Sequence, residues 1–505
     1  MTSATENQQA SLKEPLHRDE VAKHNSAEDC WVVLNGQAYD MTGFLEDHPG
    51  GAGIIMKYAG RDASKAFNPI HPKNIVDTLS PDAHLGPVTP AEAPVEAKQD
   101  DSDDEEDDEG EEVPDISQMV NVWDFETVAK RNVTKEAWAY LMSGADDEIS
   151  FRENHAAFHR VMLKPKVLVD VDNIDMTSTV LGTKVSIPLY VTSCALGRLY
   201  HEDGECCLAR GAALAGIPQL CPTLASCTMD EMHAARSPGQ TQWWQLYVNK
   251  DRELTKTVVQ KAEHLGFKAL FITVDAPQLG RRERDMRNKA KMSANVQTKQ
   301  KEKIPTQQGT TRAISSFIDP SLAWKDMPWF KSITSMPIIL KGVQTGEDAV
   351  RAYEVGMDGI VVSNHGGRQL DYARSGIEML VEIMDALNSI GADLDKFTVL
   401  VDGGFRRGSD LFKALALGAR AVGIGRPTLV GMASYGEEGV EKVVQIFKDE
   451  MEMHMRLMGT PTIKDMTPDL VITRNVADHF SPAPVDFLSQ QVYEPLPLAT
   501  RISKL

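Results

Sequence analysis

Between residues 187 and 426 the chain alternates short apolar runs with helix-length amphipathic stretches. The runs are IPLYVTSCA (187–195), IPQLCPT (217–223), TQWWQLY (241–247), ALFITVDA (269–276), MPIILKG (336–342), GIVVSNHG (359–366), FTVLVDGG (397–404) and AVGIGR (421–426). Stretches such as DRELTKTVVQKAEHLG and GSDLFKALALGA lie between them. Eight βα repeats of this size predict an α/β module at 116–480, a (β/α)8 TIM barrel. A doubly wound open sheet is the alternative. No G-x-G-x-x-G follows the first strand, which disfavours a dinucleotide-binding version of it. Residues 15–90 read differently. Short apolar runs broken by turn signals (CWVVLNGQAYDMTGF) lead to EDHPGGAG, then to a helical pattern, IIMKYAGRDASKAF, and to NPIHPKN. This stretch predicts a small α+β module.

Function in a barrel of this kind concentrates at the carboxyl ends of the strands. The ends here read Cys194-Ala195, Thr223, Gln245 and Tyr247, Thr273 and Asp275, Lys341, His365, Asp402, and Gly425-Arg426. One polar strand end is noise, but a ring of them predicts an active site. The last two loops, DGGFRRG (402–408) and GIGRP (423–427), combine glycines with Arg406 and Arg426 where barrels usually bind phosphate. A phosphate there, with a flat cofactor over the mouth, points to a phosphorylated flavin. A flavin substrate must give up a proton, so His365 fits a general base of near-neutral pKa. Arg368, close by, suits bidentate pairing with a carboxylate.

Composition narrows the partners. The formal charge of −20 argues against nucleic acid. Eleven of those acids fall in QDDSDDEEDDEGEE (99–112), a block that repels itself and predicts a solvated linker over 91–115. An acidic docking surface for a basic redox partner is the rival reading. No apolar run approaches the length of a membrane span. Cys30, Cys194, Cys206, Cys207, Cys221 and Cys227 form no C-x-x-C pair, which favours free thiols over disulfides or zinc. The tail at 481–505 ends in Ser503-Lys504-Leu505, a peroxisomal address when exposed. The expected location is therefore the peroxisome, with the mitochondrial intermembrane space or cytoplasm as alternatives.

His48 and His71 lie on loops beside helical segments, among Phe44, Leu45, Ile54, Ile55, Tyr58, Phe67 and Ile70. Two histidines facing across an apolar cleft can clamp a haem iron from both sides. HPGG after F-L-x-x, with a second His after F-x-P-x, resembles the b5-type cytochrome domain over 15–90. The resemblance implies haem b on His48 and His71, with Pro49, Gly50 and Gly51 turning tightly against the porphyrin. With both axial positions filled, such a haem passes single electrons.

Y-x-x-S-G-A, T-V-D-A-P-x-L-G-R-R-E, I-x-L-K-G, S-N-H-G-G-R-Q-L-D and D-G-G-x-R-R-G resemble the FMN-dependent 2-hydroxy-acid dehydrogenases and oxidases from about 120 to 470. What that implies is oxidation of a short L-2-hydroxy acid, L-lactate foremost, with electrons passing from FMN to haem and then to a one-electron acceptor such as cytochrome c. His365 is the implied base and Asp275 stabilises its protonated form. Arg368 and Tyr140 bind the substrate carboxylate, Arg282 assists from a loop, and Tyr247 meets the substrate hydroxyl. Lys341 faces the flavin and stabilises its reduced, negative form. Gln245, Thr273 and the backbone near Ala195 hold the ring, while Asp402, Gly403, Gly404, Arg406, Gly425 and Arg426 hold ribityl and phosphate. Ala195 and Leu224 line the pocket for the substrate's side chain. A homo-tetramer is also implied. Leu141 and Pro222 stand where many members carry tyrosine and serine. The polar stretch 281–303 predicts a lid rooted at Arg282. An oxygen-using oxidase, a non-catalytic haem carrier and a flavin-dependent isomerase are the competing functions.

Overall fold

The computed structural model describes residues 15–45, 47–48, 52–68, 71, 75–89, 113–287 and 317–479. The acidic run, most of the expected lid, the tail with Ser503-Lys504-Leu505, and Pro49, Gly50, Gly51 and Ile70 lie outside them. The chain divides into two compact units, one in the amino-terminal part and one from Val113 onward.

In the amino-terminal unit an antiparallel sheet runs β1 (Asn25–Ser26), β2 (Asp29–Leu34), β3 (Gln37–Asp40) and β4 (His84–Pro87). Asn35 and Gly36 join β2 to β3 with φ of 53° and 79°. Positive φ at both positions is what a two-residue hairpin requires, and Asn-Gly meets it at little cost. Val32, Leu34, Tyr39, Met41, Leu45 and Ile55 pack beneath the sheet. Short helices Ala52–Met56 and Ser64–Phe67 border that core. The two ends of the unit pair with each other: Leu16 bridges Val88, its N–H donates to Pro87 O at 2.8 Å, and Thr89 N–H donates back to Leu16 O at 2.9 Å.

The second unit is the barrel. Its strands are β5 (Leu189–Val191), β6 (Gln219–Cys221), β7 (Gln242–Leu246), β8 (Leu270–Thr273), β9 (Ile338–Val343), β10 (Gly359–Val362), β11 (Thr398–Asp402) and β12 (Ala421–Ile424). All neighbours are parallel and β12 closes on β5. Each strand falls on one of the eight apolar runs. Every strand sends one side chain inward: Tyr190, Leu220, Trp243, Phe271, Ile339, Val361, Leu400 and Ala421, all at most 1% exposed. Trp243 stacks on Phe271 at 5.3 Å between ring centres, and Tyr190 meets Trp243 edge-on at 5.4 Å. Val180 and Val185, from a short hairpin, join the same cluster. The barrel is thus filled, and chemistry is confined to its rim.

Four helices matter for that rim: α1 (Lys135–Leu141), α2 (Ile149–Ala156), α3 (Glu205–Ala215) and α4 (Arg426–Met458). Thr134 caps α1 through a bond from Ala137 N–H. The α1–α2 segment is tied to the loop after β10. Ala145 N–H donates to Gly367 O at 2.8 Å, and Ser150 N–H to Asp371 Oδ1 at 2.8 Å. These bonds carry Tyr140 and Phe151 to the mouth.

Candidate active site and haem clamp

His365 follows β10 and sits in the left-handed region at φ 60°, with Gly366 and Gly367 also left-handed. A non-glycine residue pays strain there, so the backbone is held by specific bonds. Its N–H donates to Ser363 Oγ at 3.0 Å, and Gly367 N–H donates to Asn364 Oδ1 at 3.1 Å. The resulting turn points the imidazole into the mouth. His365 Nδ1 lies 3.0 Å from Asp275 Oδ1, and Nε2 lies 3.2 Å from the Tyr247 hydroxyl. A carboxylate only accepts, so Nδ1 carries the proton and Nε2 presents its lone pair. Burial pushes the imidazole below its ordinary pKa, and Asp275 offsets only part of that shift. The ring is therefore neutral near pH 7 and able to take a proton. Burial pushes the Tyr247 hydroxyl up, which keeps it protonated.

Lys341, at the end of β9, is almost fully buried. Its Nζ sits 3.0 Å from Asp402 Oδ2 and donates to Ser363 Oγ at 3.1 Å. Burial disfavours its charge, but Asp402 and Asp275 outweigh that and hold it above the usual lysine range. A fixed cation thus lies at the floor of the site.

Arg368 donates to the carbonyls of Tyr140 and Ser143 at 2.8 and 2.9 Å, and its guanidinium lies over the Tyr140 ring at 4.7 Å. Arg282 Nε donates to Arg368 O at 3.3 Å. Burial and the nearby Arg368 charge lower the Arg282 pKa to about 10. Two like charges crowded in a dry site are stabilised by an anion between them.

One cavity takes in most of the residues singled out from sequence. Tyr140, Ala195, Leu224, Gln245, Tyr247, Arg282, Lys341, His365, Arg368, Asp402, Gly403, Gly404, Arg406, Gly425 and Arg426 all line it. Asp275 and Thr273 stand behind the wall. Asp275 acts on His365, and Thr273 Oγ1 accepts from Gln245 Nε2 at 2.9 Å. Cys194, one of the strand ends, lines the cavity too, and so do Thr192, Leu196 and Tyr200, which were not anticipated. Nor was Ser363, whose hydroxyl joins the base loop to the lysine. It stands two residues before the histidine in S-N-H-G-G-R, the one signal that marks it.

The residues fit a phosphorylated flavin. Asp402 Oδ1 is buried in the cavity wall with no hydrogen-bond partner among the described residues, an acceptor suited to a hydroxyl. A Cβ at Gly404 would lie 1.9 Å from Asn154 O, so only glycine permits this loop to close on α2. Gly425 precedes the amino terminus of α4, where the helix dipole favours an anion, although Pro427 has no N–H and Thr428 and Leu429 donate theirs to Gly425 O. The arginines are less free than expected. Arg406 Nε donates to Glu126 Oε1 at 3.2 Å. Arg426 bonds the carbonyls of Leu141, Gly366 and Ser143, which makes it also a tie between loops.

In the amino-terminal unit the His48 and His71 rings face each other, 6.1 Å between centres. A metal–nitrogen bond of about 2.0–2.1 Å plus about 1.1 Å from nitrogen to ring centre, doubled, gives about 6.2–6.4 Å. His71 Nδ1 donates to Phe67 O at 3.1 Å, which directs Nε2 into the cleft. Burial lowers the His71 pKa to about 4, leaving the neutral ring a metal requires. Phe67 stacks on His71 and Phe44 meets His48 edge-on. The donor set and spacing fit haem.

Residues 129–473 match the FMN-dependent dehydrogenase family. The chain belongs to that family. Residues 17–89 match the cytochrome b5-like heme/steroid binding domain. FMN and haem are therefore its cofactors. An L-lactate dehydrogenase (cytochrome) of Wickerhamomyces anomalus is 50% identical over 475 residues, 94% of this chain and 82% of that one. The recombinant flavin-binding domain of baker's yeast flavocytochrome b2 superposes with a TM-score of 0.68 at 46% identity, covering 76% of this chain and 94% of that one. A peroxisomal (S)-2-hydroxyacid oxidase of Arabidopsis thaliana is 43% identical, but its match covers 71% of this chain and 98% of its own length. This corrects the peroxisomal expectation. The relative that spans both units is of the cytochrome type, and the peroxisomal one has no length left to match the haem unit.

Proposed function

We propose that this family member is an L-lactate dehydrogenase of the cytochrome type, oxidising L-lactate to pyruvate. When bound, FMN supplies a two-electron acceptor and haem a one-electron relay. His365 Nε2 takes the proton the substrate gives up, and Asp275 stabilises the imidazolium that results. Arg368 and Arg282 hold the carboxylate, with Tyr140 beside it. Tyr247 orients the substrate hydroxyl toward His365, and Lys341 offers positive charge where the flavin gains negative charge. Ala195 and Leu224 border the space for the substrate's side chain.

The observation that carries this reading is the Asp275–His365–Tyr247 chain, set in one cavity with two arginines and a buried lysine. A haem carrier without catalysis would need none of it. We further infer that the external acceptor is a protein such as cytochrome c and that the enzyme is a homo-tetramer. We place the domain boundaries at 15–90, 91–115, 116–480 and 481–505. Steady-state turnover of the purified enzyme on L-lactate, with cytochrome c or oxygen as acceptor, tests the function. Turnover on oxygen alone would give the oxidase reading instead. Light scattering tests the tetramer.

A further inference from the structure

Glu205 opens α3 and is fully buried. Its carboxylate accepts three backbone N–H groups: Gly197 at 2.7 Å and Ser226 at 3.1 Å on Oε1, and Cys227 at 3.1 Å on Oε2. Burial pushes the acid's pKa up, and the amide bonds on both oxygens oppose that shift in part. Bonds to a charged acceptor are roughly twice as strong as neutral ones.

The donors belong to two different loops. Gly197 lies in the loop after β5, two residues past Ala195. Ser226 and Cys227 lie in the loop after β6, beyond Leu224. Ala195 and Leu224 both line the active-site cavity. Glu205 therefore staples together, from behind, the two loops whose front faces border the substrate's side chain. Two longer bonds run parallel to the staple: Leu196 N–H to Leu224 O at 3.3 Å and Arg198 Nη1 to Ser226 O at 3.2 Å. The fit is tight, since a Cβ on Gly197 would come within 2.7 Å of Glu205 N. Leu196 is held left-handed at φ 59° between them.

We propose that Glu205 is a positioning residue for substrate choice: its carboxylate fixes the gap between the Ala195 and Leu224 loops and so sets the largest 2-hydroxy acid the enzyme accepts. The inference rests on the reading that these two side chains wall the pocket. Glu205→Asp shortens the reach by one methylene and cannot hold all three amides. Glu205→Gln keeps the length but turns one oxygen into a donor facing an N–H group. Neither touches substrate.

The test compares kcat/KM for L-mandelate and L-lactate in the purified holoenzyme, with Ala195→Gly as reference. A general loss of active protein lowers both values and leaves their ratio unchanged. The expected result is a rise in the mandelate-to-lactate ratio of about tenfold for Glu205→Asp, the scale of a methylene's worth of pocket space. Glu205→Gln should shift it less and in the same direction. If Ala195→Gly moves the ratio and both Glu205 variants leave it within twofold of wild type, the inference is overturned while the pocket reading stands. If Ala195→Gly leaves it unmoved, the pocket reading fails and takes the inference with it. Should neither Glu205 variant yield holoenzyme, Gly197→Ala decides. Its added Cβ would meet Glu205 N at 2.7 Å and prise the first loop off the staple, and an unchanged ratio there overturns the inference.

Discussion

Replacing Asp275 by asparagine removes a charge while nearly conserving shape. The Asp275 side chain is buried and packs against Gly342, where an added Cβ would lie 2.5 Å from its carboxyl carbon. Its carboxylate sits 3.0 Å from His365 Nδ1. In the resting enzyme the imidazole is neutral and the charge gives little. When Nε2 accepts the substrate's proton, an ion pair forms. At a charge separation of about 4 Å and an effective dielectric of about 20, that pair is worth about 4 kcal/mol. At 1.36 kcal/mol per decade this corresponds to a rate loss of about 10²–10³. If the new NH2 group faced Nδ1, the proton would move to Nε2 and block the base, so the loss would be larger. The assay is anaerobic stopped-flow reduction of the flavin by L-lactate. The pH profile gives a second reading. Asp275 raises the His365 pKa against the downward pull of burial. Its removal lowers that pKa further, so the acid limb of kcat/KM should move to lower pH. Reduction within tenfold of wild type, or an acid limb shifted upward, would refute the role given to the pair.

Three further outcomes are expected. His365→Gln should bind FMN yet reduce it more than ~10²-fold slower, the scale of lost general-base help, in the same stopped-flow experiment. His48→Ala should abolish the haem absorption spectrum while lactate still reduces the flavin, because ligands and flavin residues belong to separate units. Lys341→Met should strand the buried Asp402 carboxylate, whose Oδ2 would keep, among the described residues, the Thr192 hydroxyl alone. Breaking such a pair costs about 3–5 kcal/mol, visible as a lowered Tm in calorimetry.

The eight strands were legible because each is a short apolar run bounded by a polar strand end, and the barrel places all eight ends on one rim. His365, Lys341 and Asp275 were legible for the same reason. The staple made by Glu205 was not. Its three partners are backbone amides, and an amide has no signature in a sequence. Arg406 looked like a phosphate ligand because its loop is glycine-rich. That it also pairs with Glu126, 280 residues away in the chain, is a tertiary fact no local pattern carries. The helices before the barrel were equally silent about their duty, since Tyr140 reaches the mouth only through bonds from α1–α2 to the loop after β10. The carboxyl-terminal tripeptide misled for the opposite reason: three residues are too few to outweigh a match that spans both units.

The pairing of Leu16 with Val88 means that the haem unit is entered and left at one edge, like a page bound along a single margin. Among the described residues its sheet pairs only strands of the 15–90 stretch. A segment of this kind can be excised or grafted with two cuts a few ångströms apart. It behaves as a cassette, and fusing it upstream of a barrel asks nothing of the barrel's own fold. A one-electron outlet can in this way be added to a two-electron catalyst by joining genes, with the catalytic rim left untouched.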